Sequence, residues 1–155
     1  MKSRLAFVTL AFVFAPSVGM AQTPDIIELT QTPCQFLESE IDHGFTSSQK
    51  SDCDAINART AKDRLKKAPV ISVAAGDYIF RVRNKNVPYE LGFWLRDTDY
   101  DWRNPLHKLT KTSVSGGGLT EGKSQDYAVT LKPGTYLYSC PLNTTPDYTL
   151  VVTNP

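Results

Sequence analysis

Methionine is almost missing from this chain of 155 residues, and the two it has are Met1 and Met20. Both fall in an N-terminal segment built like a secretory leader. Lys2 and Arg4 make a short basic start, Leu5 to Pro16 is apolar, and Gly19-Met20-Ala21 puts small residues around a cleavage point. Residues 1–21 are therefore expected to be a signal peptide cut after Ala21, which leaves an exported product with no thioether ligand. Histidine is scarce as well, limited to His43 and His107. A second long apolar run is lacking, and a membrane span needs roughly 20 such residues. A soluble protein without a membrane span is expected.

Charge of one sign is not in excess either. The 17 Lys and Arg face 16 Asp and Glu, and Lys2 and Arg4 depart with the leader. This balance provides no electrostatic footprint for nucleic acid as a partner. No Ser/His/Asp order around a nucleophile, no zinc spacing and no motif-placed carboxylate pair occurs, so the chain is not expected to be an enzyme. Three cysteines in an oxidising compartment imply one bridge and one thiol left over. Cys34 and Cys53, close in sequence around a polar segment, are expected to pair, which should stabilise the fold by roughly 3 kcal/mol. Cys140 is then the odd thiol.

Three regions follow: the leader 1–21, residues 22–69 with a strand, the disulfide loop and a helix, and a β-rich part over 70–155. Residues 25–31 read as a strand ending before Pro33. The acidic stretch with Glu38, Glu40, Asp42 and His43 reads as a solvated loop tied down by the disulfide rather than a hard-metal site. Asp52 to Lys67 has helical period, with Ala58, Ala61, Leu65 and Ala68 on one face, Ser51 or Asp52 as N-cap, and a solvated basic remainder that includes Arg64. Beyond Pro69 period-2 alternation dominates. Val70–Val73 and Tyr78–Arg83 are expected to pair across a Gly76-Asp77 turn, with Tyr78, Phe80 and Val82 on one face. Leu91, Phe93 and Leu95 share a face, as do Tyr127, Val129 and Leu131, then Tyr136, Tyr138 and Cys140, and finally Tyr148, Leu150 and Val152. Residues 97–124 look like a solvated insertion in which Ser115-Gly-Gly-Gly118 is a flexible turn. Asp97, Asp99 and Asp101 lack the offsets of a calcium loop. Asn143-Thr-Thr145 matches a glycosylation sequon, though between Pro141 and Pro146 its side chains are better placed to cap a turn.

Several segments together resemble the cupredoxins, the blue-copper β-sandwich family. These are Val73-Ala-Ala-Gly-Asp-Tyr-Ile-Phe80, Asn84-Lys-Asn-Val-Pro-Tyr89, Leu131-Lys-Pro-Gly-Thr-Tyr-Leu-Tyr-Ser-Cys-Pro141 and the closing run Tyr148 to Val152. The resemblance spans about residues 70 to 153. It implies an all-β Greek-key sandwich of cupredoxin type, here with one short N-terminal helix. It also implies where copper ligands would stand: Cys140 at the cysteine position, Tyr89 where the first histidine belongs, Asn143 where the second belongs, and no axial methionine. A His₂Cys set with a weak axial sulfur is what favours copper, and one of those four ligands is present.

The resulting expectation is a periplasmic or secreted accessory or binding protein with a cupredoxin frame and no cofactor, its partner a protein or a small ligand. Trp94, Tyr100, Trp102, Tyr89 and Tyr148 are the candidate contact aromatics. The alternative is copper binding or electron transfer at an atypical site centred on Cys140, drawing on His107, Glu90, Asp147 or Asn143.

Overall fold

The computed structural model describes residues 23–155, so the expected leader lies outside the described residues. Two sheets face each other. The first holds β1 (Asp25–Thr32), β2 (Gln35–Phe36), β4 (Gly76–Asn84) and β7 (Ser124–Leu131), in the order β2-β1-β4-β7. The second holds β3 (Ile71–Ala74), β5 (Leu91–Asp97), β6 (Ser113–Leu119), β8 (Gly134–Ser139) and β9 (Tyr148–Thr153), in the order β3-β9-β8-β5-β6. β1 runs parallel to β4 and β3 parallel to β9, while the other pairings are antiparallel. Two helices are added, α1 (Lys50–Leu65) and the single turn α2 (His107–Thr110).

The core lies between the sheets and follows the period-2 faces. Tyr78, Phe80 and Val82 point inward from β4, Phe93 and Leu95 from β5, Tyr136 and Tyr138 from β8, and Tyr148, Leu150 and Val152 from β9. Alternation places every second side chain on one face, and burial of these apolar faces is what drives the two sheets together.

Four expectations are corrected. Val70–Val73 and Tyr78–Arg83 do not pair with each other: β3 joins β9 and β4 joins β1 and β7, so the chain changes sheet at Ala75, whose N–H donates to the Thr153 carbonyl at 2.9 Å. Ser115-Gly-Gly-Gly118 is not a free turn but part of β6. It lies so close to β5 that a Cβ on Gly92 would sit 2.6 Å from the Gly116 carbonyl oxygen, and one on Gly116 would sit 2.9 Å from the Tyr127 ring. Glycine is needed there for close approach at an irregular register between Leu91 and Phe93.

The acidic loop also contributes to the core. Phe36 is fully buried and meets Phe93, Tyr138 and Tyr148 edge-on at centroid distances of 6.3, 5.7 and 5.8 Å. Finally, α1 starts earlier than its expected N-cap, at Lys50. The Asp52 carboxylate accepts from the Ser48 N–H at 2.8 Å and the Gln49 N–H at 3.2 Å. Its docking stripe is Cys53, Asn57, Thr60 and Arg64, with Cys53 and Arg64 buried, whereas Ala58 and Leu65 are exposed.

Candidate functional site

Cys140 directly follows β8 and is fully buried. Its sulfur accepts the N–H of Asn143 at 3.2 Å and of Gly92 at 3.4 Å, and its own N–H donates to Thr145 Oγ1 at 2.8 Å. Burial pushes the thiol pKa up. The amides of Gly92 and Asn143 and the Gln31 side chain offset part of that rise. An unreactive, protonated thiol is the outcome.

Asn143 stands at one expected ligand position, and its side chain is committed on both ends. Nδ2 donates to the Thr32 carbonyl at 2.8 Å, and Oδ1 accepts the Cys34 N–H at 2.9 Å. Tyr89, at the other ligand position, donates its hydroxyl to the same Oδ1 at 3.3 Å and shares a hydrogen bond with Ser47 at 3.0 Å. Desolvation holds the Tyr89 phenol above its ordinary pKa, so it stays a donor. Asn84 sets this loop by accepting from the Val87 N–H and donating to the Val87 carbonyl, both at 3.1 Å. The Cys34–Cys53 disulfide forms and lies against the pair, with Cys53 Sγ 3.3 Å from Asn143 Oδ1 and 3.6 Å from the Tyr89 hydroxyl. Asn143 is fully buried, which closes it to glycosylation in the folded state.

The helix covers this assembly through polar groups. Asn57 Nδ2 donates to the Thr144 carbonyl, and Arg64 donates to Glu40, Asn57, the Thr60 hydroxyl at 3.2 Å and the Cys34 carbonyl at 3.0 Å. Glu40 also accepts from Tyr148 and pairs with His43 Nε2 at 3.1 Å. Burial opposes ionisation of Glu40, but the bonds from Arg64 and Tyr148 and the charges of Arg64 and His43 outweigh it, so its pKa lies below the usual carboxylate range. Arg64, expected on a solvated face, is therefore an internal anchor.

The remaining candidates are dispersed. The insertion bearing His107 leaves the sheet at Asp97, which is level with Tyr136, whereas Trp94 is level with Ser139, next to Cys140. His107 thus departs from the opposite end of the strand. There its Nδ1 accepts the Asp101 N–H at 2.9 Å and its ring lies near Tyr100. Glu90 accepts the Gly118 N–H at 2.8 Å, and Asp147 pairs with Arg96 at 2.8 Å. Of the contact aromatics, Tyr148 is core and Tyr89 faces inward. Trp94 lies under Arg96 at 4.0 Å, Tyr100 meets it edge-on, and Trp102 is 59% exposed. No three His, Cys, Asp or Glu among the described residues gather as a metal cage. One thiol, one saturated amide and one phenol do not fit a His₂Cys copper set.

Among solved structures the chain is similar to auracyanin B. The two share 18% identity over 86% of this chain and 93% of that one, with a TM-score of 0.50. The fold is that of the cupredoxins. Auracyanin A, described as a blue copper protein from Chloroflexus aurantiacus, is 14% identical over 84% of this chain and all of that one, at a TM-score of 0.48. Copper nitrite reductase from Nitrosomonas europaea covers 56% of this chain and 30% of that one at 19% identity, with a TM-score of 0.37. No family profile and no curated protein matches the chain. Sequence reasoning missed the role of Arg64 and Glu40 in closing this cupredoxin frame, because a charged pair far apart in sequence carries no local signal. No helix among the described residues is long and apolar enough to cross a membrane.

Proposed function

We propose that this protein is an exported, non-enzymatic binding or accessory protein that uses the cupredoxin frame without a type 1 copper centre. The observation that carries this reading is the commitment of Asn143. Both ends of its amide are tied to the Thr32–Cys34 segment, so the position that would present a ligand instead holds the N-terminal segment onto the sandwich. Export, to the periplasm or the medium, is supported by the leader pattern and by the disulfide.

A second reading, an atypical copper site centred on Cys140, draws on one observation. Gln31 is fully buried beside Gly92, its Nε2 donating to the Gly92 carbonyl at 2.7 Å, while its Oε1 has no partner. Titration of the purified protein with Cu(I) and Cu(II), followed by absorption and elemental analysis, separates the two. No stoichiometric copper is expected. One equivalent bound by the native chain and lost in Cys140→Ser would overturn the first reading in favour of the second.

A further inference from the structure

We propose that the groove between α1 and residues 37–45 binds short apolar peptides with free termini. This names a ligand for the binding role above and rests on that reading, although the groove shares no residue with the Cys140 loop. Its volume is about 910 Å³, within the roughly 300–1,000 Å³ typical of small-ligand sites. Leu37, Ile41, Phe45 and Pro69 give it an apolar surface, and Ile41 is 77% exposed. The floor is neutral and saturated, because Glu40 and Arg64, whose side chains are 4% and 5% exposed, satisfy each other.

The walls differ in the charge left without an ion pair, since Asp63 is held by Lys66 and His43 by Glu40. On the helix side Arg59 and Lys67 make no ion pair among the described residues, while Asp63 between them is held by Lys66 at 2.8 Å. Glu38 and Asp42 line the facing side, where their carboxylates accept only backbone amides, from Thr30 at 2.6 Å and Gly44 at 2.8 Å. An apolar trough between a cationic and an anionic wall complements an apolar body carrying a carboxylate at one end and an ammonium at the other. The walls are also fixed in place. The Cys34–Cys53 bridge and the Arg64–Glu40 pair join them, Phe45 stacks with His43 at 5.2 Å, and the Arg64 guanidinium lies 4.8 Å from the same ring. A preformed groove avoids the ordering cost of closing around its ligand.

Calorimetric titration of the exported chain with the tetrapeptide Leu-Leu-Phe-Leu, and with its N-acetylated and C-amidated forms, tests this. Binding of one peptide per chain is expected, weakened roughly threefold to tenfold by either block. Ile41→Asp should abolish it, and Arg59→Glu should remove the sensitivity to C-amidation. Both residues are exposed, and an unchanged circular dichroism spectrum verifies folding. Absence of binding, indifference to both blocks, or full binding by Ile41→Asp would overturn the proposal. Copper titration of the native chain is unaffected by any of these results, so the groove and the copper-free reading fail separately.

Discussion

The sandwich and the helix that covers it are held by different forces. Between the sheets the contacts are aromatic and aliphatic, with Phe36, Phe93, Tyr138 and Tyr148 at the centre. Between α1 and the rest of the molecule they are a disulfide, the Asn57 amide and a buried ion pair. Apolar packing is tolerant, since any inward face of suitable volume contributes. Polar docking is specific, because each buried donor must find its acceptor. The Cys34–Cys53 bridge that seats the helix also lies against Asn143 and Tyr89, the two positions at which the resemblance led ligands to be expected.

Removing one large side chain from the centre should have the greatest effect. Phe36→Ala is expected to lower unfolding free energy by about 3–5 kcal/mol, measured by the urea midpoint. A shift below about 1 kcal/mol would mean that residues 35–36 are only appended to the core.

The ion pair distinguishes docking from packing. Arg64→Met leaves Glu40 buried without its cation and should cost about 3 kcal/mol, whereas the double variant Glu40→Leu/Arg64→Met should recover most of that loss. Equal losses would argue that the pair is not buried in solution. pH gives the same contrast a second readout. Because the folded pKa of Glu40 is below its free value of 4.5, its stabilising contribution is complete above about 4.5 and disappears as pH falls through the lower folded value. Glu40→Gln should therefore flatten the acid limb of the stability curve, and an unchanged slope would count against the assignment.

The smallest effect is expected at Asn143. Asn143→Ala removes the partners of the Thr32 carbonyl and Cys34 N–H and should cost about 1–3 kcal/mol, with hydrogen exchange quickened around Cys34. If exchange there is unchanged, the amide does not hold the segment.

The sandwich was legible because its signal is local and periodic. Tyr78, Phe80 and Val82, or Tyr148, Leu150 and Val152, declare one inward face without reference to the rest of the chain. The stripe on α1 was not legible, since Cys53, Asn57, Thr60 and Arg64 have the helical spacing but no shared hydrophobicity to mark it. Phe36 was hidden for a related reason: a two-residue strand is too short to show a period. The glycine run of β6 resembled a flexible turn, and only the approach of Gly92 and Tyr127 explains it. At the site, the cupredoxin resemblance put Tyr89 and Asn143 at expected ligand positions. Their partners, Thr32, Cys34 and Ser47, lie far away in sequence.

The placement of the three cysteines also shapes how the protein matures. Cys34 and Cys53 are joined within the N-terminal part, and Cys140 follows much later in the chain. As a chain emerges N-terminus first, the first two thiols are available to each other well before the third arrives. The correct pairing is thus the one that order of emergence favours. Once β8 is in place, the thiol that follows it is withdrawn into the core and removed from exchange.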